Sequence, residues 1–223
     1  MFRSSARPIA AVLLGLIVSA PPSFAFDTPL SDQAVREAYF LGQRHDGSFP
    51  RLLDKYSKRL PAPKSGPYIR SITFLTPFAK LVHFSDAFVG NYSAQQAALD
   101  HRNHQETVEI TVEILLTYSY GAIIAAPASP RSDKSQTYEL RPHDFWRDFQ
   151  AQVFEGNEIR EPAHFTGEPT VQCSRYGAYC NLIGATLHLE FPATAFNSDS
   201  ATIHVVPPEG PEVWVDFDLT ALR

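Results

Sequence analysis

Thr107-Val-Glu-Ile-Thr-Val-Glu-Ile-Leu-Leu116 alternates along its whole length. Val108, Ile110, Val112, Ile114 and Leu116 share one face of an extended chain, and Thr107, Glu109, Thr111 and Glu113 share the other. Side chains alternate with period two along a strand, so the stretch predicts a half-buried β-strand; a helix would scatter the five apolar residues around its circumference. At ~3.3 Å per residue it spans roughly 33 Å, enough to cross a small domain. It reads as the central strand of an antiparallel sheet whose polar face meets either water or a second layer. In the second case Glu109 and Glu113 need cationic partners, and Arg51, Lys55, Lys58 and Arg59 are the expected ones.

Downstream the same alternation returns at short intervals. Tyr138 to Leu140 reads as a short strand. Phe145, Phe149, Ala151 and Val153 alternate with Trp146, Asp148, Gln150 and Gln152. Thr170 to Ser174 leads into a cysteine loop. Ala185, Leu187, Leu189 and Phe191 alternate with Thr186, His188 and Glu190, and residues 201–205 and 213–219 follow the pattern. Such spacing predicts a mainly β (α+β) fold: an antiparallel β-sandwich of about eight strands, immunoglobulin/C2-like in general architecture. The 18 prolines fit short strands and turns better than a helix bundle.

Upstream the period changes to that of a helix. Over 31–44, Ser31 is a good N-cap, Asp32 sits in the first turn, and Ala34, Val35, Ala38, Tyr39, Leu41 and Gly42 make one stripe, with Arg44 and His45 at the close. Over 48–60, with Ser48 as cap, Phe49, Leu52, Leu53, Tyr56 and Leu60 make another. Neither helix buries its stripe alone, so the two are expected to pack on each other and on the sheet. Pro61 to Pro67 is a stiff connector. Phe78 to Phe84 suits either a short helix capped by Thr76, with Pro77 in its first turn, or an edge strand, and a short helix or irregular segment is the preferred reading. Ser93-Ala-Gln-Gln96 is a capping box opening one inserted helix to about Asn103. The expected layout is a leader at 1–25, a helical pair at 26–66 packed on the main domain, and a sandwich domain at 67–223.

The leader reading rests on Arg3 and Arg7, the apolar run Ile9 to Ala20, and small residues at Ser23 and Ala25. The run is too short to span a bilayer, which takes ~20 residues. Cleavage near Phe26 implies an exported protein, periplasmic or extracellular, with no membrane span in the mature chain. It also removes two of the 19 basic residues and none of the 24 acidic ones, taking the net charge from −5 to −7. An acidic chain lacks the basic face that phosphate backbones require, so no nucleic-acid partner is expected. In an exported chain the pair Cys173 and Cys180 is expected to form a disulfide closing a short loop.

The chemistry-bearing residues are few. His101, His104 and Glu106 have ligand types suited to zinc, but they lack the His-Glu-x-x-His spacing of a zinc hydrolase. A histidine near a helix end also suits the dipole without any metal. Asp216 and Asp218 share a strand face about 7 Å apart, as a solvated face would also have them. His83 with Asp86, and His143 with Asp144, are neighbours of the kind found in acid–base pairs. Asn91-Tyr-Ser93 matches a glycosylation acceptor, although Ser93 already serves as a cap. Neither a nucleophile elbow nor a phosphate loop occurs, so no cofactor is implied. Trp146 and Trp214 fall on the polar faces of their expected strands. There they would either dock the helices or bind a partner or carbohydrate ligand. The preferred reading is a non-enzymatic binding or structural protein. A metal-dependent hydrolase at His101, His104 and Glu106, and a carbohydrate-binding module using Trp146 and Trp214, are the alternatives.

Overall fold

The computed structural model describes residues 25–44, 46–88, 90, 92–125, 138–175 and 180–223. The expected leader up to Phe24, His45, Asn91 of the acceptor pattern, the whole stretch 126–137 and the middle of the cysteine loop at 176–179 lie outside them. Within them the chain is a mixed α and β domain with several antiparallel sheets and four α-helices.

The opening stretch forms β3, Thr107–Leu115, with its apolar residues fully buried and its polar ones half-buried. It is the middle strand of a five-stranded sheet. On one side lie β2 (Tyr68–Leu75) and β1 (Ser57–Arg59), and on the other β9 (Cys180–Pro192) and β8 (His164–Cys173). A four-stranded sheet orders β11 (Val213–Asp218), β10 (Ser200–Val206), β6 (Gln150–Glu155) and β7 (Glu158–Arg160). β4 (Ile123–Ala125) and β5 (Tyr138–Leu140) pair apart from both. The two larger sheets share one core, in which Phe74 of β2 meets Phe217 of β11 at 5.7 Å between ring centres. Burying each Val, Ile, Leu or Phe of that core contributes about 1.5–3 kcal/mol.

The helices depart from expectation in three ways. First, two are inserted rather than one: α3 (Pro77–Ala87) as well as α4 (Ala94–Asn103). Thr76 caps α3 by accepting from the Ala79 N–H, and Pro77 opens its first turn, where no N–H is needed. Second, α2 (Ser48–Tyr56) is capped by Gly47, not by Ser48, and ends before Ser57. The residues expected to continue it pair with β2 as a sheet edge instead. Third, the N-terminal helices touch each other but belong mainly to different cores. α1 (Asp32–Gly42) packs on α3 and α4 and makes a second core from Leu30, Ala34, Val35, Ala38, Phe78, Val82 and Ala97. α2 instead sends Tyr56 into the core between the sheets, and Leu52 touches both cores. Ser31 and Ser93 cap their helices as expected, but Gln96 turns to Asp100 instead of back to the cap.

The disulfide Cys173–Cys180 joins the last residue of β8 to the first of β9, which stand opposite each other in the register. No helix among the described residues is long and apolar enough to cross a membrane.

Candidate functional site

The site grows from the polar face of β3. Antiparallel pairing sets Glu109 opposite Glu190 and Thr111 opposite His188, and the next strand sets His164 opposite Glu190 and Thr166 opposite His188. Residues directly opposite point to the same side, so three strands contribute one polar surface. Lys80 reaches it from α3. Its Nζ lies 3.0 Å from Glu190 Oε1, 2.6 Å from Thr107 Oγ1 and 3.8 Å from Glu109 Oε2. Thr107 donates to Glu190 at 2.7 Å. Glu109 Oε1 meets His188 Nδ1 at 2.9 Å, and the other ring nitrogen is 3.6 Å from Glu168.

These contacts move the proton equilibria in one sense. The His188 hydrogen bond, with Lys80 nearby, holds the Glu109 carboxyl below its usual range. The Thr107 and Lys80 hydrogen bonds do the same for Glu190. His188 is raised, chiefly by its bond to Glu109. The network is therefore a lattice of charged groups already paired with one another. A carboxylic acid that protonates a leaving group needs its pKa pushed the other way.

Beside the network lies a cleft of about 560 Å³. Leu30, Leu75, Leu81, Phe84 and Tyr92 give it an apolar lining, while Lys80, Asp100, Glu106, Glu109 and Glu190 give it a charged one. Burial and nearby Asp100 push the Tyr92 phenol up to about 12, so its hydroxyl stays neutral. A smaller hollow of about 260 Å³ is lined by Glu109, His164, Thr166, His188 and Glu190, so the Glu109/Glu190 pair borders both.

The candidate ligand set His101, His104 and Glu106 also lines the cleft but is only partly assembled. His101 Nε2 lies 3.4 Å from Glu106 Oε1 and 3.3 Å from the Leu30 carbonyl. The two oxygens of Glu106 accept from the Leu30 N–H and the Thr28 hydroxyl, each at 2.5 Å. His104 turns its Nδ1 to the Asp100 carbonyl at 2.8 Å, at the end of α4. Glu106 thus fastens the segment before α1 to the start of β3. Among the described residues no group of three or more His, Cys, Asp or Glu is placed to hold a metal ion.

The tryptophans do not share a surface. Trp146 stands on a 3₁₀ turn at Phe145–Asp148, not on the strand expected there. It lies against β8, where a Cβ on Gly167 would fall 2.3 Å from its ring, and it meets Phe165 edge-on. Trp214 is on β11 as expected and is 57% exposed. The remaining pairs have other partners. Asp216 accepts from Thr202, and Asp218 caps the final 3₁₀ turn through Thr220. His83 stacks on Phe49, and Asp144 pairs with Arg147. Glu113 takes Arg70 and Ser71, and Glu109 takes Lys80 and His188, in place of the expected cations of residues 51–59.

Nothing in the sequence singles out Lys80, His188 and Glu190 as site residues, since each is one polar residue in an amphipathic pattern. Their shared face was a usable signal, but only with the β3–β9 register in hand. The chain matches no known family model, no curated protein and no solved structure.

Proposed function

We propose that this chain is an exported, non-catalytic binding protein. In this reading its two large sheets form an immunoglobulin/C2-like sandwich, and its ligand occupies the cleft between α3 and the polar face of β3. The observation that carries the reading is the cleft itself, of about 560 Å³, whose lining combines apolar side chains with members of the charge network. Small-molecule sites are typically ~300–1,000 Å³, mostly apolar, with a few convergent polar groups. The network is preorganised because its members are held by one another, so it needs little rearrangement to receive a head group. Carboxylates outnumber cations along the lining, and Glu109 and Glu190 are held in their ionised form. The ligand class that fits is an apolar body carrying a protonated amine. The direction of those shifts also favours binding over acid catalysis. Export is supported by the leader-like N-terminus and by the disulfide.

Thermal unfolding with octylamine, octanol and octanoate tests the cleft. Octylamine is expected to raise the midpoint most and octanoate least. Leu81→Trp, which fills the cleft, is expected to remove the shift. A lack of shift with all three, or a shift that survives Leu81→Trp, would count against the reading. Mass spectrometry of the chain recovered from a cell envelope tests export, with a mature N-terminus at Phe26 expected.

A further inference from the structure

We infer that the outer face of the four-stranded sheet, remote in the fold from the cleft, is a stacking platform for an uncharged glycan, with Trp214 as the ring that meets the sugar. The register places Trp214 of β11 opposite His204 of β10, and His204 opposite Gln152 of β6. One row along, Thr202 stands between Asp216 and Phe154. The His204 and Trp214 rings lie 3.6 Å apart and nearly parallel, at 12°. Phe154 supports the indole at 5.8 Å, and Glu212 holds His204 Nε2 at 3.0 Å. The indole is thereby fixed from beneath and flanked, yet 57% of Trp214 remains exposed. An exposed aromatic held in one orientation loses little freedom on binding, and this suits it to a flat partner.

A second observation points the same way. His204 is buried, and its Nδ1 is shielded from solvent with no hydrogen-bond partner among the described residues. A buried polar atom left unpaired is costly, and an apolar residue would fill the place without that cost. What imidazole supplies here is a flat ring that Glu212 can hold parallel to Trp214.

The polar groups around the indole select the occupant. Thr202 orients the Asp216 carboxylate at 2.6 Å, and Asp216 lies two residues from Trp214 along the strand, roughly 7 Å away. Asp216 and Glu212 accept hydrogen bonds, and Gln152 both donates and accepts. Sugar hydroxyls match that set while the C–H face of a pyranose covers the indole. The two carboxylates repel an acidic polysaccharide, so the glycan is neutral. Trp146 takes no part, because it lies against the other sheet.

Native electrophoresis of the full chain through gels containing xylan, laminarin, hydroxyethylcellulose or galactomannan tests the assignment, with polygalacturonate as the acidic counterpart. At least one neutral polymer is expected to retard the protein several-fold more than polygalacturonate does. Trp214→Ala is expected to abolish the retardation and Trp214→Phe to keep part of it. Leu81→Trp in the cleft is expected to leave it unchanged, which separates this surface from the cleft reading. Circular dichroism confirms that each variant is folded. The assignment is overturned if none of the four neutral polymers retards the chain, or if folded Trp214→Ala is retarded like the parent. Sedimentation showing instead a dimer of the parent that Trp214→Ala dissolves would overturn it too, by giving the face to a second copy.

Discussion

Glu109 shows how a residue's meaning depends on what stands opposite it. Within β3 it is one polar position in an alternating run. In the fold it joins His188 at 2.9 Å and Lys80 at 3.8 Å. Each link carries a pH dependence whose sign follows from the shifts. Glu109 and Glu190 lie below their ordinary 4.5, so their contribution to stability is present above that value and is lost as pH falls through the lowered pKa values. His188 lies above its ordinary 6.5, so its contribution is full below 6.5 and is lost as pH rises through the raised value. The network is therefore strongest between about 4.5 and 6.5. Urea unfolding of the parent and of His188→Gln should show a larger stability gap near pH 5.5 than near pH 8.5. Equal gaps at the two pH values would mean that His188 acts only as a neutral hydrogen-bonding group.

Among the elements, α1 and α3 illustrate packing that a helical stripe alone does not specify. Gly42 belongs to the apolar stripe of α1, and a Cβ there would fall 2.4 Å from the Val82 carbonyl oxygen and 2.7 Å from the Ser85 Cβ. Those are positions on α3, so the two backbones approach as closely as glycine allows. Gly42→Ala therefore sets overpacking of ~1–3 kcal/mol against a helix-propensity gain of at most ~1 kcal/mol. Gly42 is the last residue of α1, so little of that gain applies, and the expected result is a net loss of about 1–3 kcal/mol in the denaturant midpoint analysis. A neutral or stabilising outcome would show that α1 slides on α3 at little cost. The same close approach holds α3 where Lys80 spans to the sheet, so looser packing here should also weaken octylamine binding at the cleft.

For the whole molecule, the notable feature is the pair of cores. The core between the sheets is rich in Phe, Ile, Leu and Val, whereas the one among α1, α3 and α4 relies on Ala34, Ala38 and Ala97 beside a few larger side chains. Less apolar area is buried per residue in the second, so less free energy is needed to open it. Native-state hydrogen exchange should show amides of α1 exchanging through a sub-global opening, at least tenfold faster than those of β3 and β9. Identical opening free energies for α1 and β3 would show instead that Leu52, which touches both cores, couples them into one unit. A cleft that borders the more easily opened layer is also suited to admitting a ligand.

Local chemistry was enough to read β3, the face it buries, the caps Ser31 and Ser93, and the disulfide, because alternation, capping and short-range pairing are set by neighbours in the chain. It was misleading at 57–59, where a helical stripe was cut short by pairing with β2, and at Trp146, where a strand-like alternation was folded into a 3₁₀ turn. It pointed to Glu109 but to the wrong partners, because Lys80, His188 and Glu190 come from distant parts of the chain. The period of a pattern tells which side of a strand a residue faces. Which strands lie beside each other, and in what register, is decided by burial of the shared core, and a one-residue slip would turn every one of those side chains to the opposite face. The sequence by itself thus determined the central strand and the face it buries, and only the tertiary structure decided which side chains gather along its polar face.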